Sequence, residues 1–145
     1  MSCPRSRTSP LTLELDHVLI AVADLEAAAR ELEARHGLTS IEGGRHEGFG
    51  TANRIVPLGD TYLELIAVVD EAEAAQSPVG RWVAEARRGR PLGWSVRTNR
   101  LDDVARRLEL TVIPVSRATP HGRLLRGLIA GIEQAAAEPS LPFFI

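Results

Sequence analysis

Lysine is missing from this sequence, whose 17 basic residues are all arginine. That excludes a lysine Schiff base, a pyridoxal-phosphate anchor and a P-loop lysine, each of which needs a primary amine. Arginine bias in a GC-rich genome accounts for the pattern without a functional cause. Cysteine is nearly absent too: a single Cys3 allows neither an internal disulfide nor a thiolate metal cluster. Aromatic residues are scarce, at three Phe, two Trp and one Tyr, and supply no stacking platform for nucleic acid. No apolar run approaches the ~18 residues of a membrane span. The opening MSCPRSRTSP is positively charged, but no apolar stretch follows. It reads as a flexible tail over residues 1–10, not a secretory signal, and a cytoplasmic location is expected.

What is present suits one globular domain. The chain has 145 residues, 44% of them hydrophobic, and a net charge of −2. Charge is unevenly spread: residues 1–75 carry 13 acids and 6 arginines, residues 76–145 carry 6 acids and 11 arginines. Such asymmetry can mark a nucleic-acid face. Here the arginines are interleaved with helix-face acids, so two oppositely charged modules packed together are expected, with no nucleic-acid or membrane partner.

An offset of 76 residues aligns Leu25–Glu33 with Leu101–Glu109 without a gap, five of nine positions being identical. Both segments space apolar residues as a helix does: Leu25, Ala28, Ala29, Leu32 and Leu101, Val104, Ala105, Leu108. Each follows an extended apolar stretch, Leu13–Val22 or Leu92–Thr98. Each precedes three strand-like runs: Thr39–Glu42, Thr51–Leu58 and Tyr62–Val69 first, then Thr111–Ser116, Arg123–Ala130 and Leu141–Ile145. The order β-α-β-β-β therefore occurs twice, as module one (11–75) and module two (91–145). They are joined by a linker (76–90) whose helix, Pro78–Arg88, stops at Gly89 and keeps Trp82 for the core.

Gly59-Asp60 is a two-residue hairpin turn, so Leu58 faces Thr61, Asn53 faces Ile66 and Ile55 faces Glu64. Alternation then places Thr51, Asn53, Ile55, Tyr62, Glu64 and Ile66 on one face of that sheet. Glu64 is a carboxylate among apolar neighbours, either turned to solvent or lining a cup as a metal ligand or a base raised in pKa by burial. His17 shares a face with Leu15 and Leu19, as a half-buried strand histidine or a ligand-pocket group. The glycine-rich 43–50 segment leads into no helix and lacks a P-loop lysine. It is expected to be a rim loop, from which His46 either faces solvent or turns to a ligand. His121-Gly122 reads as a turn, and Arg87-Arg88-x-Arg90 as a solvated helix end. No serine sits in a nucleophile elbow.

Three motifs in order carry a resemblance: Leu15-Asp16-His17-Val18 with Ala21-Val22-x-Asp24-Leu25; Gly43-Gly44-Arg45-His46-Glu47-Gly48-x-Gly50-Thr51-x-Asn53; and Tyr62-Leu63-Glu64-Leu65-Ile66. From about Leu13 onward the chain resembles the glyoxalase-like domains of the vicinal oxygen chelate (glyoxalase/bleomycin resistance/dioxygenase) superfamily, specifically in module one and more weakly in module two. The resemblance implies an α+β fold of paired βαβββ modules forming a cupped mixed sheet. It also implies one divalent metal (Fe, Mn, Ni or Zn), held by residues on the first and fourth strands of each module. His17 and Glu64 match the ligands of module one. Glu64 and His46 are the expected catalytic groups, and Thr51, Asn53, Tyr62 and Trp94 the expected substrate-binding set.

Module two departs from that pattern. The offset puts Gly93 opposite His17, and Leu141–Ile145 holds no acid or histidine. Its last strand is expected to be incomplete, which favours a homodimer. His46 or His121 would have to supply a third ligand. Three readings stand: a metal-dependent lyase, isomerase or dioxygenase on a small oxygenated substrate; a metal-free drug- or metabolite-binding protein; and a degenerate interaction domain. The ligand count favours the second.

Overall fold

The computed structural model describes residues 9–86 and 90–145. The expected tail, apart from its last two residues, Cys3, and the expected stop at Arg87-Arg88-Gly89 lie outside the described residues.

The order β-α-β-β-β is found in module one and, with a short helix before the last strand, in module two. Module one comprises β1 (Leu13–Ala21), α1 (Leu25–His36), β2 (Ile41–His46), β3 (Thr51–Leu58) and β4 (Thr61–Val68). After α2 (Glu71–Ala74) and α3 (Pro78–Glu85) come β5 (Pro91–Thr98), α4 (Leu101–Leu108), β6 (Val112–Ala118), β7 (Leu124–Ala130), α5 (Ile132–Ala137) and β8 (Phe143–Phe144). The strands run β1-β4-β3-β2-β6-β7-β8-β5, and β5 pairs back onto β1, so the cupped sheet closes as a barrel. This is the α+β architecture of paired modules.

The local chemistry explains the elements. Asp24 caps α1 by accepting from the Ala27 N–H at 2.7 Å, and Gly37 ends it in the left-handed region at φ 67°. Ser77 caps α3, which has proline in its first turn. The β3–β4 hairpin has the anticipated register, with Leu58 against Thr61, Asn53 against Ile66 and Ile55 against Glu64. Gly59, at φ 78°, makes the turn.

Four features differ from expectation. β2 runs on through the glycine-rich segment to His46, pairing His46 with Thr51, because a register shift between Glu42 and Gly44 lets the strand continue. His46 is therefore a strand residue and not a loop residue. The short helices α2 and α5 were not anticipated; segments of four and six residues are too brief to show helical periodicity. β8 is shorter than Leu141–Ile145, since Pro142 has no N–H to donate. Pairing with β5 nevertheless continues through the Ile145 N–H to the Val96 carbonyl at 3.0 Å.

The main core gathers Leu19, Ile66, Val83, Leu92, Ile129 and Phe143 around Trp82. A second cluster packs α1 on β3 and β4 through Val22, Ala29, Val56 and Leu65. A third holds α4 against β5 through Val96, Val104, Ala105 and Phe144.

Candidate functional site

The barrel encloses a cavity of about 220 Å³ with two unlike walls. β1–β4 supply His17, His46, Asn53, Tyr62 and Glu64. Opposite stand Val115, Leu125, Ile129 and Phe143, with Val79 and Trp82 of α3.

His17 is in register with Tyr62 of parallel β4. The two rings stack at 4.6 Å and 12°, while the Phe143 edge meets the imidazole at 5.6 Å. Both ring nitrogens face carboxylates: Nδ1 donates to Asp16 Oδ2 at 2.6 Å, and Nε2 lies 3.1 Å from Glu64 Oε2. Donating to both requires both protons, which makes the ring an imidazolium. Burial opposes that charge, but bonds to Asp16 and Glu64 outweigh it and lift the pKa to about 9.

Glu64 is buried against the same pair of forces. Burial pushes its pKa up, yet the hydrogen bond and charge of His17 bring it down to about 2, helped by His46 and Asn53. Asn53 Nδ2 donates to Glu64 Oε1 at 2.7 Å. Asn53 can lean this way because Gly43 lies beside its amide; a Cβ at Gly43 would stand 2.1 Å from Asn53 Oδ1. His46 Nδ1 is 2.9 Å from Thr51 Oγ, and its Nε2 is 3.7 Å from Glu64 Oε1. Burial holds the His46 pKa below its usual value; Glu64 opposes this, and Arg117 and His17 reinforce it. The wall thus pairs a charged imidazolium with a neutral imidazole on opposite oxygens of one carboxylate. Burial also raises the Tyr62 pKa, reinforced by Glu64 and Asp16, so its hydroxyl remains a donor.

The residues singled out from sequence divide accordingly. His17, His46, Asn53, Tyr62 and Glu64 meet at the cavity. Thr51, fully buried, stands behind His46 as its hydrogen-bond partner. Trp94 does not reach the cavity: it pairs with Val18 on the outward register, packs beside Val96 and Val104, and donates to the Ser140 carbonyl at 3.2 Å. One-residue alternation decides this, since Gly93 and Ser95 hold the inward positions of β5. His121 is exposed in a turn before β7 and does not line the cavity. Asp16, which fixes the His17 proton, and Arg117 on β6 were not anticipated. The first was legible as the neighbour of His17; the second depends on how β6 pairs.

The donor set does not fit a resident metal. On β5, a Cβ at Gly93 would lie 2.7 Å from the Trp82 ring, so an aromatic side chain fills the place of a third ligand. β8 brings Phe143 and Phe144 to the fourth position. Among the described residues no group of three or more His, Cys, Asp or Glu is placed to hold a metal. Nor is any helix among them long and apolar enough to cross a membrane.

Comparison with solved structures finds the same fold in proteins of low identity. A hypothetical protein from Staphylococcus aureus superposes with a TM-score of 0.72 at 17% identity, over 92% of this chain and 58% of that one. The chain therefore spans little more than half of that protein's length. A variant of Streptomyces coelicolor methylmalonyl-CoA epimerase, bound to 2-nitronate-propionyl-CoA, gives 0.63 at 22% identity over 90% and 91% of the two chains. Methylmalonyl-CoA epimerase from Mycobacterium tuberculosis gives 0.60 at 22% identity over 90% and 83%. No protein of curated function matches. The family description "Glyoxalase-like domain" matches residues 15–145, nearly the whole chain and both halves of the barrel. The chain belongs to the glyoxalase-like domain family.

Proposed function

We propose that the protein binds a small oxygenated organic molecule in the barrel cavity and moves a proton on it, as an isomerase or lyase that needs no resident metal. One arrangement supports this reading: a buried carboxylate, Glu64, held between the His17 imidazolium and the neutral His46 on a cavity wall. Buried ion pairs add little net stability compared with apolar packing. Clusters of shifted pKa in a cleft are therefore functional candidates.

The chemistry follows from competition for one hydrogen bond. A substrate carbonyl oxygen that accepts the His17 Nε2–H takes that donor from Glu64. The carbonyl is then polarised by the imidazolium, while Glu64 loses the partner that keeps its carboxyl acidic. Its affinity for a proton rises as the substrate docks. The C–H beside the carbonyl gives its proton to a Glu64 oxygen, and the bonding electrons move onto the carbonyl oxygen as an enolate stabilised by His17. Return of the proton to the same carbon or a neighbouring atom completes an isomerisation; expulsion of a leaving group completes a lyase reaction. Asn53 orients Glu64, and Tyr62 supports the His17 ring by stacking on it while its hydroxyl donates to Asp16.

A second reading is favoured by the apolar wall of Val115, Leu125, Ile129 and Phe143: the cup sequesters a metabolite or drug without chemistry. Incubating the protein in D2O with α-oxo and 1,3-dicarbonyl compounds separates the two. Proton transfer predicts enzyme-dependent loss of the C–H signal in NMR, slowed at least a hundredfold by Glu64→Gln with binding retained. Tight binding with no exchange in any compound leaves the sequestering reading; exchange that survives Glu64→Gln removes Glu64 as the base. A monomer–dimer assignment by light scattering tests the homodimer suggested by the sequence.

A further inference from the structure

We infer that Arg117 anchors a carboxylate, so that the ligand of the cavity is a small organic acid and not a neutral molecule. This rests on the binding reading above and adds the class of ligand. Arg117 on β6 pairs directly with His46 on β2, and directly paired residues project to the same face. Both border the cavity. The neighbours of Arg117 on that inner face are Val115 and, across the β6–β7 ladder, Leu125, Gly127 and Ile129. A guanidinium is thus set among apolar neighbours on the inner face, while the exposed Arg126 of β7 lies at the edge of the same cavity.

The counter-ion of Arg117 is missing. Arg45, Arg54, Arg97, Arg100 and Arg106 each lie within ion-pair distance of an acid. Among the described residues the Arg117 guanidinium makes no ion pair or hydrogen bond with a side chain or carbonyl. The acids nearest the cavity are already balanced: His17 lies between Asp16 and Glu64, and the second oxygen of Asp16 is 3.7 Å from Arg97 Nη1. The field of Arg117 also reaches its strand neighbour His46, where it adds to burial in keeping that ring neutral.

A half-buried guanidinium without a partner matches a carboxylate in geometry as well as charge, through two parallel N–H donors. The size of the cavity bounds the rest of the ligand. A half-open cavity of about 220 Å³ admits a small organic acid. An acid held at Arg117 must carry its reacting carbonyl only a few atoms away to reach His17 and Glu64 on the facing wall. Small keto acids fit that description.

Calorimetric titration of small keto acids, their methyl esters and amides, and inorganic phosphate into wild-type, Arg117→Met and Arg117→Lys protein tests this. The acids are expected to bind at least tenfold more tightly than the esters. Arg117→Met should erase that preference while leaving ester affinity and the thermal midpoint unchanged, and Arg117→Lys should keep part of it. Equal binding of acids and esters, or an acid preference that survives Arg117→Met, overturns the inference. So does phosphate binding as tightly as the best acid, since the site would then be a general anion site. Esters that exchange protons through Glu64 without help from Arg117 remove this inference and leave the proton-transfer reading standing; acids that bind through Arg117 but never exchange do the reverse.

Discussion

The two halves of the barrel share a chain order and divide the labour. His17, His46, Thr51, Asn53 and Glu64 are all buried, and all stand on β1–β4. The β5–β8 half buries only Ser95 among polar strand residues and otherwise supplies Leu92, Val96, Ile129, Phe143 and Phe144. The helices differ in the same sense. Asp24 caps α1 with its side chain, whereas its counterpart Arg100 before α4 makes no capping bond. α1 ends on Gly37, but α4 ends on Glu109 in the left-handed region at φ 55°. Repeating a fold therefore repeats the backbone more faithfully than the side chains. One half carries a charged network and the other closes around it.

The most damaging break in this asymmetry is loss of Glu64. Glu64→Ala leaves the His17 imidazolium buried without one of its partners and should lower unfolding free energy by about 3–5 kcal/mol in urea denaturation. The double variant His17→Phe/Glu64→Leu, which makes the polar wall resemble the apolar one, should recover most of that loss. A double variant no more stable than Glu64→Ala would show that packing, and not the unpaired charge, is responsible.

The same pair can be broken by pH without mutation. The His17 pKa is raised from 6.5 to about 9, so its stabilisation is complete below about pH 6.5 and disappears as pH rises through about 9. His46, whose pKa is lowered, is neutral in both folded and unfolded chains over most of this range and contributes no opposing slope. Glu64, brought down from 4.5 to about 2, stabilises above about pH 4.5 and ceases to do so as pH falls through about 2. Thermal midpoints should fall between pH 6.5 and 9, and His17→Phe should flatten that limb.

A smaller effect is expected where module two is already full. Gly93→His would restore a polar residue opposite His17 but drive its Cβ into Trp82, so about 1–3 kcal/mol of destabilisation should appear in thermal melts. The smallest change repairs an asymmetry: Glu109→Gly relieves a left-handed backbone at the end of α4 and should add about 0.5–1 kcal/mol. Gly37→Ala in α1 should shift the melt in the opposite direction.

Much of the fold could be read in the chain because its signals are local. Gly59-Asp60 sets the β3–β4 register, and alternation then puts Asn53 and Glu64 on one face. The helical spacing of Leu25–Glu33 and Leu101–Glu109 marks the repeat. Trp94 and His46 show where such reading stops. Trp94 differs from its inward neighbours Gly93 and Ser95 by a single step of strand phase, and β5 alone does not reveal which phase points inward. His46 sits after glycines that read as a loop, but a bulge on β2 carries it into the ladder.

By itself the sequence determined the doubled strand-and-helix order and the hairpin register that sets Glu64 and Asn53 on one face, because periodicity and turn chemistry act over a few residues; the candidacy of His17 and Glu64 came from the family resemblance. Only the tertiary structure decided what those groups do to one another. Pairing of β1 with β4 brings His17 onto Glu64, pairing of β2 with β6 sets Arg117 beside His46, and closure of β5 on β1 seats Trp82 over Gly93. Each depends on strand order between segments far apart in the chain, where burial turns proximity into charge, pKa and the exclusion of a metal ligand.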